Sequence, residues 1–150
     1  MIKLAIDLGS SVTKIFKIGS GIVLAEASCV AVTTGTDTVK AIGEEAKRLI
    51  GKTAEFTTIV FPVFEADIVN GNMAAVMLSY FLKKIGIGRA QARRTEAVFG
   101  VPCGAQDALL DKYYRLAEAC GIGSVSFVEV PFLAAFGQNL TLSESTPAFV

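Results

Sequence analysis

Lys3 to Asp7, Thr13 to Ile18 and Ile22 to Ala27 each place apolar residues two apart, and Gly9 and Gly19-Ser20-Gly21 separate the three runs. That period and those breaks predict three consecutive strands in an antiparallel meander. Ser28 to Thr33 is a further run of strand-forming residues, followed by a polar turn over Thr34 to Thr38. From Gly43 the period changes. "GEEAKRLIG" has acids in its first turn, bases later and Gly51 past its end, which predicts a short helix with a complemented dipole. Phe56 to Phe61 returns to strand and Pro62 stops it. A helix over Asn72–Ile85 follows, with Asn70 or Asn72 as its cap, Met73, Val76, Met77, Tyr80 and Phe81 on one face, and Gly86 as its end. "TEAVFGVP" reads as a buried strand, and Ala105–Cys120 as a helix with Leu109, Tyr113, Leu116 and Cys120 inward. "VSFVEV" is another strand, Pro131 opens a helix over Phe132–Leu140, and "PAFV" begins one more strand. A meander followed by alternating helices and strands predicts an α/β fold: a mixed sheet opened by an antiparallel meander, with flanking helices.

Composition narrows the function classes. At 150 residues, with 52% hydrophobic and 19% charged residues, the chain can bury the core of one domain, which argues against disorder. The formal net charge is zero, so the electrostatic footprint of a nucleic-acid binder is missing and no nucleic-acid partner is expected. Histidine is absent, which removes histidine-based triads and most zinc sites. Cys29, Cys103 and Cys120 are odd in number and set in apolar sequence, as core thiols in a reducing compartment would be. Neither a charged leader nor an apolar run of about 18 residues is found, so a cytoplasmic location is expected, with any membrane contact made from the side.

The stretch "DLGSS" is the first to carry chemistry. It sets Asp7 at the end of a buried strand and continues through Gly9 into Ser10 and Ser11. A plain hairpin uses the glycine but has no need of the aspartate. A phosphate chain uses both: backbone N–H groups and hydroxyls donate to it, and a carboxylate can hold a water of its metal. Lys14 adds a point charge within reach. Either reading fits the turn alone.

Several stretches together resemble the actin-like ATPase superfamily, and within it the MreB family of bacterial actin homologues. "IDLGSSVTKI" resembles the first phosphate loop, "GIVLAEASCVAV" and "IGEEAKRLIGKT" the next two segments, and "MLSYFLKK" the helix of the first subdomain. "VFGVPCG" resembles a buried strand and turn, and "VEVPFLAAFG" the next strand and helix. The resemblance implies an actin-like ATPase domain with a ribonuclease H-like motif, ATP and Mg²⁺ as cofactors of the intact protein, and self-association into filaments for cell shape. It implies that Asp7 approaches the metal through water while Gly9, Ser10 and Ser11 cradle the β- and γ-phosphates. Lys14 would add charge there, as in actin and ParM; MreB usually lacks that lysine. The second phosphate loop is expected just after "PAFV", so residues 1–150 are expected to be the N-terminal subdomain region of a longer protein.

Three further expectations follow from the resemblance. Lys47 matches a lysine near the γ-phosphate in related chaperones, although a solvated helix base explains it equally simply. "GIGRAQARR" occupies the place of a membrane-dipping loop, where Ile85 and Ile87 would enter lipid and Arg89, Arg93 and Arg94 would meet anionic headgroups at the inner face of the membrane; a solvated basic loop is the simpler alternative. The residue before the proline of "VEVP" is a catalytic glutamate in the family, and here it is Val130. Glu129 lies one residue early, and in a strand one residue turns a side chain to the other face, so Glu129 could be catalytic only if the strand bulges. Weak or absent hydrolysis is therefore expected. A non-hydrolysing adaptor of the PilM type and a sugar or acid kinase of the same fold remain as alternatives.

Overall fold

The computed structural model describes residues 1–52 and 56–130. The meander is present as β1 (Ile2–Leu8), β2 (Val12–Lys17) and β3 (Gly21–Ala27), antiparallel throughout. Then come β4 (Val30–Thr33), β5 (Val39–Ile42), the four-residue helix α1 (Glu44–Lys47), and β6 (Thr57–Val60). Two-residue strands β7 (Val63–Phe64) and β8 (Asp67–Ile68) lead to α2 (Gly71–Lys84). After the short helix α3 (Arg89–Ala92), β9 (Thr95–Val101), α4 (Asp107–Ala119) and β10 (Ser124–Glu129) alternate.

The principal sheet has the order β10-β9-β1-β2-β3. Strands β9 and β10 run parallel to β1, so the mixed sheet combines a local meander with long-range parallel pairing. A second sheet, β5-β4-β6, and the β7-β8 hairpin form the remaining β structure of the described residues. Leu4, Ile6 and Leu8 on β1 alternate into the core with Ala97, Phe99 and Val101 on β9. Helices α2 and α4 cover that face with Met77, Leu78, Phe81, Tyr113 and Leu116, each at most 3% exposed. A smaller cluster, Ala27, Cys29, Ala31 and Ala46, seats α1 on the second sheet.

Helix α2 is capped by Asn70, whose side chain accepts from the Met73 N–H at 3.1 Å; Asn72 lies inside the first turn. Its buried stripe is Met73, Ala74, Met77, Leu78, Phe81 and Leu82, whereas Val76 is turned outward. The helix core is thus rotated toward the i+1 neighbours of the predicted face, because leucine and alanine fill positions that a search for large residues passes over. Strands β5, β7 and β8 and helix α3 appear where no element is expected. The helix from Gly43 is only one turn long before it loosens into turns, and Gly43 and Gly51 both have positive φ. Cys29 and Cys120 are buried, but Cys103 is exposed, in the turn after β9. It is therefore not a core thiol. The predicted helix over Phe132–Leu140 and the "PAFV" strand lie outside the described residues.

Candidate phosphate-binding edge

Because β1, β9 and β10 are parallel, their C-terminal ends fall on one edge of the sheet. Three features arrive there: the turn after β1, the turn after β9, and Glu129 at the end of β10. This is the edge at which open α/β sheets place ligands.

The first turn is tightly built. Asp7 is exposed and faces Lys14 in register across the β1–β2 hairpin, on the side of the sheet away from α2 and α4. A side chain at position 9 would come within 2.5 Å of the Val12 carbonyl oxygen, so glycine is sterically required. Gly9 and Ser10 are half-buried and Ser11 is exposed, beside an exposed carboxylate and an exposed ammonium. The second strand of the hairpin is anchored from below. Ser28 N–H donates to the Ser11 carbonyl at 3.0 Å, and the buried hydroxyls of Thr13 and Ser28 share a hydrogen bond of 2.8 Å. The backbone N–H groups of a glycine turn, two small hydroxyls and a carboxylate fit a phosphate chain with its hydrated metal. Among the described residues, no group of three or more acidic or thiol side chains gathers to bind a metal directly.

Glu129 points elsewhere. It pairs in register with Val101, a core-facing residue, and shares that side of the strand with Phe127. Its Oε1 accepts from the Gly104 N–H at 3.0 Å, and its Oε2 accepts from the Cys103 thiol at 3.4 Å. That contact, and the charge behind it, push the Cys103 thiol above its ordinary value. Val130, directly after the strand, is 43% exposed.

A third element borders this edge and was not expected from the sequence. The β7-β8 hairpin turns through Glu65 and Ala66, both with positive φ (48° and 61°), a conformation that costs non-glycine residues roughly 1–2 kcal/mol each. Tyr113 Oη donates to the Ala66 carbonyl at 3.1 Å, and Lys112 Nζ bonds both oxygens of Asp67 at 2.6 and 2.8 Å. Burial, and then the charges of Asp7 and Asp67, push the Tyr113 hydroxyl up to about 12. Two-residue strands around a turn without glycine leave no periodicity to detect. The turn after β9, by contrast, was signalled by Pro102 and Gly104.

Other predicted residues are not at this edge. Lys47 is exposed and lies 3.9 Å from Glu44 one turn earlier, as a solvated helix base does. Ile87 is 3% exposed and packed in the main core, so it cannot enter lipid; the apolar residue between two glycines closes the core under α2. Arg89, Arg93 and Arg94 are exposed near the opposite end of the sheet, where Ile2 N–H donates to the Arg94 carbonyl. A groove of about 760 Å³ also lies at that end, between Arg93, Tyr114, Arg115 and Ser124, away from the glycine turn.

The profile described as MreB/Mbl protein matches residues 1–150. The chain is 30% identical to the cell shape-determining protein MreB of Escherichia coli strain K12, over 98% of its own length and 44% of that protein. It therefore spans less than half of the curated relatives it matches. Its fold is similar to that of MreB5 of Spiroplasma citri bound to AMPPNP, with a TM-score of 0.84 at 21% identity, covering 93% of this chain and 42% of that one. It is similar also to MamK in a double helical filament, with a TM-score of 0.74 at 20% identity, covering 92% and 43%.

Proposed function

The chain belongs to the MreB/Mbl family, and on that premise we propose that it is the N-terminal subdomain region of a cytoplasmic, ATP-binding protein that assembles into filaments for cell shape. The observation that carries this reading is the meeting of Asp7, the 9–11 turn and Lys14 at the C-terminal edge of three parallel strands. Gly9, Ser10 and Ser11 would donate to the β- and γ-phosphates, Asp7 would hold a water of Mg²⁺, and Lys14 would supply charge that the family usually lacks there. The metal, when bound, offsets phosphate charge. The rest of the nucleotide site would come from the part of its relatives that this chain does not span. An AMPPNP-bound relative and a filament-forming one support nucleotide binding and self-association.

Turnover is proposed to be slow. A valine at 130 can neither orient a water nor accept its proton, and loss of such a group costs about 10²–10⁴ in rate. The test is calorimetry. The longer protein should bind ATP with Mg²⁺, Asp7→Ala should weaken binding at least tenfold, and the 150 residues alone should bind weakly or not at all. Tight Mg²⁺-dependent binding by residues 1–150, unaffected by Asp7→Ala, would refute the assignment.

A further inference from the structure

We propose that Glu129 is a positioning residue, whose carboxylate fastens the Pro102–Gly104 turn to the end of β10 and so fixes the lip of the phosphate edge. The identity of that edge rests on the function proposed above; the fastening itself does not.

Both carboxylate oxygens have donors, and both donors belong to one turn. Gly104 N–H bonds Oε1 and the Cys103 thiol bonds Oε2. Gly104 sits at φ 70°, a conformation that a turn of this kind needs and that a bond on its own N–H holds in place. The turn links β9 to α4 and is otherwise tied by the Ala105 N–H bond to the Pro102 carbonyl at 3.2 Å. It also walls a groove of about 380 Å³ with Asp67, Gln106 and Lys112, so its position sets the shape of the surface next to the strained hairpin. The register places Glu129 with Phe127 and Val101, on the face opposite Asp7. A carboxylate held this way on the core side is not presented to a nucleotide beside Asp7. On the proposed function, the position for water chemistry carries Val130, while the neighbouring acid ties the turn after β9.

Cys103 reports on the lock. It is the exposed one of the chain's three cysteines, while Cys29 and Cys120 are 1% and 7% exposed, so alkylation by iodoacetamide reads Cys103 first. The experiment follows its alkylation rate against pH by mass spectrometry in the full-length protein, with hydrogen exchange at Gly104 measured in parallel. In the wild type the thiolate should form above the ordinary thiol range. Glu129→Gln keeps an acceptor for the Gly104 N–H but removes the charge. The alkylation midpoint should then move to lower pH, and reaction well below it should speed up by about three- to tenfold for every pH unit it moves, since a thiolate of lower pKa is also a weaker nucleophile, with Gly104 protection retained. Glu129→Ala should lower the midpoint and lose the protection as well. Unchanged midpoints in Glu129→Gln would overturn the proposal, even if the alanine variant fails to fold. So would a wild-type midpoint that drops to the glutamine variant's value when ATP and Mg²⁺ are added, because Glu129 would then have left the turn for the nucleotide. Failure to bind ATP, with the expected midpoint changes intact, would count against the proposed function alone.

Discussion

At the end of the principal sheet where β1, β9 and β10 finish, glycine turns, two hydroxyls, Asp7 and Glu129 gather; at the end where they start, the exposed groups include Met1, Arg93, Arg94 and Ser124. The same three strands build both ends, and their glycines do different work. At the finishing end Gly9 lets the Val12 carbonyl fold back against a half-buried turn that ends in exposed Ser11. At the starting end Gly123 keeps side chains out so that chain can pack on chain: its N–H donates to the Ala92 carbonyl at 3.0 Å, and any Cβ would collide with the Arg93 carbonyl. One close approach tightens a hairpin turn beside Asp7 and two serine hydroxyls; the other packs the lead-in of β10 on the chain before β9. A glycine forced by sterics is therefore not in itself a sign of a site, and the polar groups beside it make the distinction.

The largest effect expected from this contrast is catalytic. Val130→Glu, at the finishing end, should raise ATP turnover of the full-length protein by about 10²-fold in a phosphate-release assay, with stability little changed. A variant no faster than wild type would show that something other than position 130 limits hydrolysis. Next in size is Gly123→Ala, at the starting end. Overpacking against fixed backbone should lower unfolding stability by about 1–3 kcal/mol in urea denaturation, while ATP affinity of the folded protein stays the same. Loss of affinity without loss of stability would join the two ends that the comparison separates. The smallest effect concerns the arginines. Replacing any one of Arg89, Arg93 or Arg94 by alanine should weaken co-sedimentation with anionic vesicles by about 1 kcal/mol, and binding should fall as salt rises. Binding that ignores both lipid charge and salt would mean that this end meets membranes, if at all, by other means.

Long, strongly patterned elements were legible from the sequence. The three meander strands, α2, β9, α4 and β10 all lie where alternation or helical spacing puts them, since each is long enough to repeat its period. Val39–Ile42 was not legible, because four residues after a polar turn hold too little alternation. Nor were β7 and β8, which are only one period long and turn through Glu65 and Ala66 instead of the glycine or asparagine that marks such hairpins. Ile87 and Cys103 were misjudged for a shared reason. Local sequence reports polarity, whereas burial depends on which distant element arrives: the main core closes over Ile87, and none of the described residues covers Cys103. At the candidate site, Asp7 to Lys14 could be read as a contiguous motif. The bonds from Glu129 to Cys103 and Gly104 could not, because they join strands that are neighbours only after folding.

Strand β1 must wait for β9. Its hairpin partner begins four residues later, but its parallel partner, Thr95 opposite Ile2, lies most of the chain away. Closing so long a loop costs entropy before any pairing rewards it, so the meander is expected to form early and the parallel half of the sheet late. During synthesis β1 therefore has one side paired and the other open until β9 has emerged, and an open strand edge invites pairing with other chains. Asp7 and the 9–11 turn can take shape within the first hairpin, but the edge they share with Glu129 exists only once the slow half has docked. Whatever binds across that edge would favour the completed sheet over its early intermediate, tying ligand capture to the last step of folding.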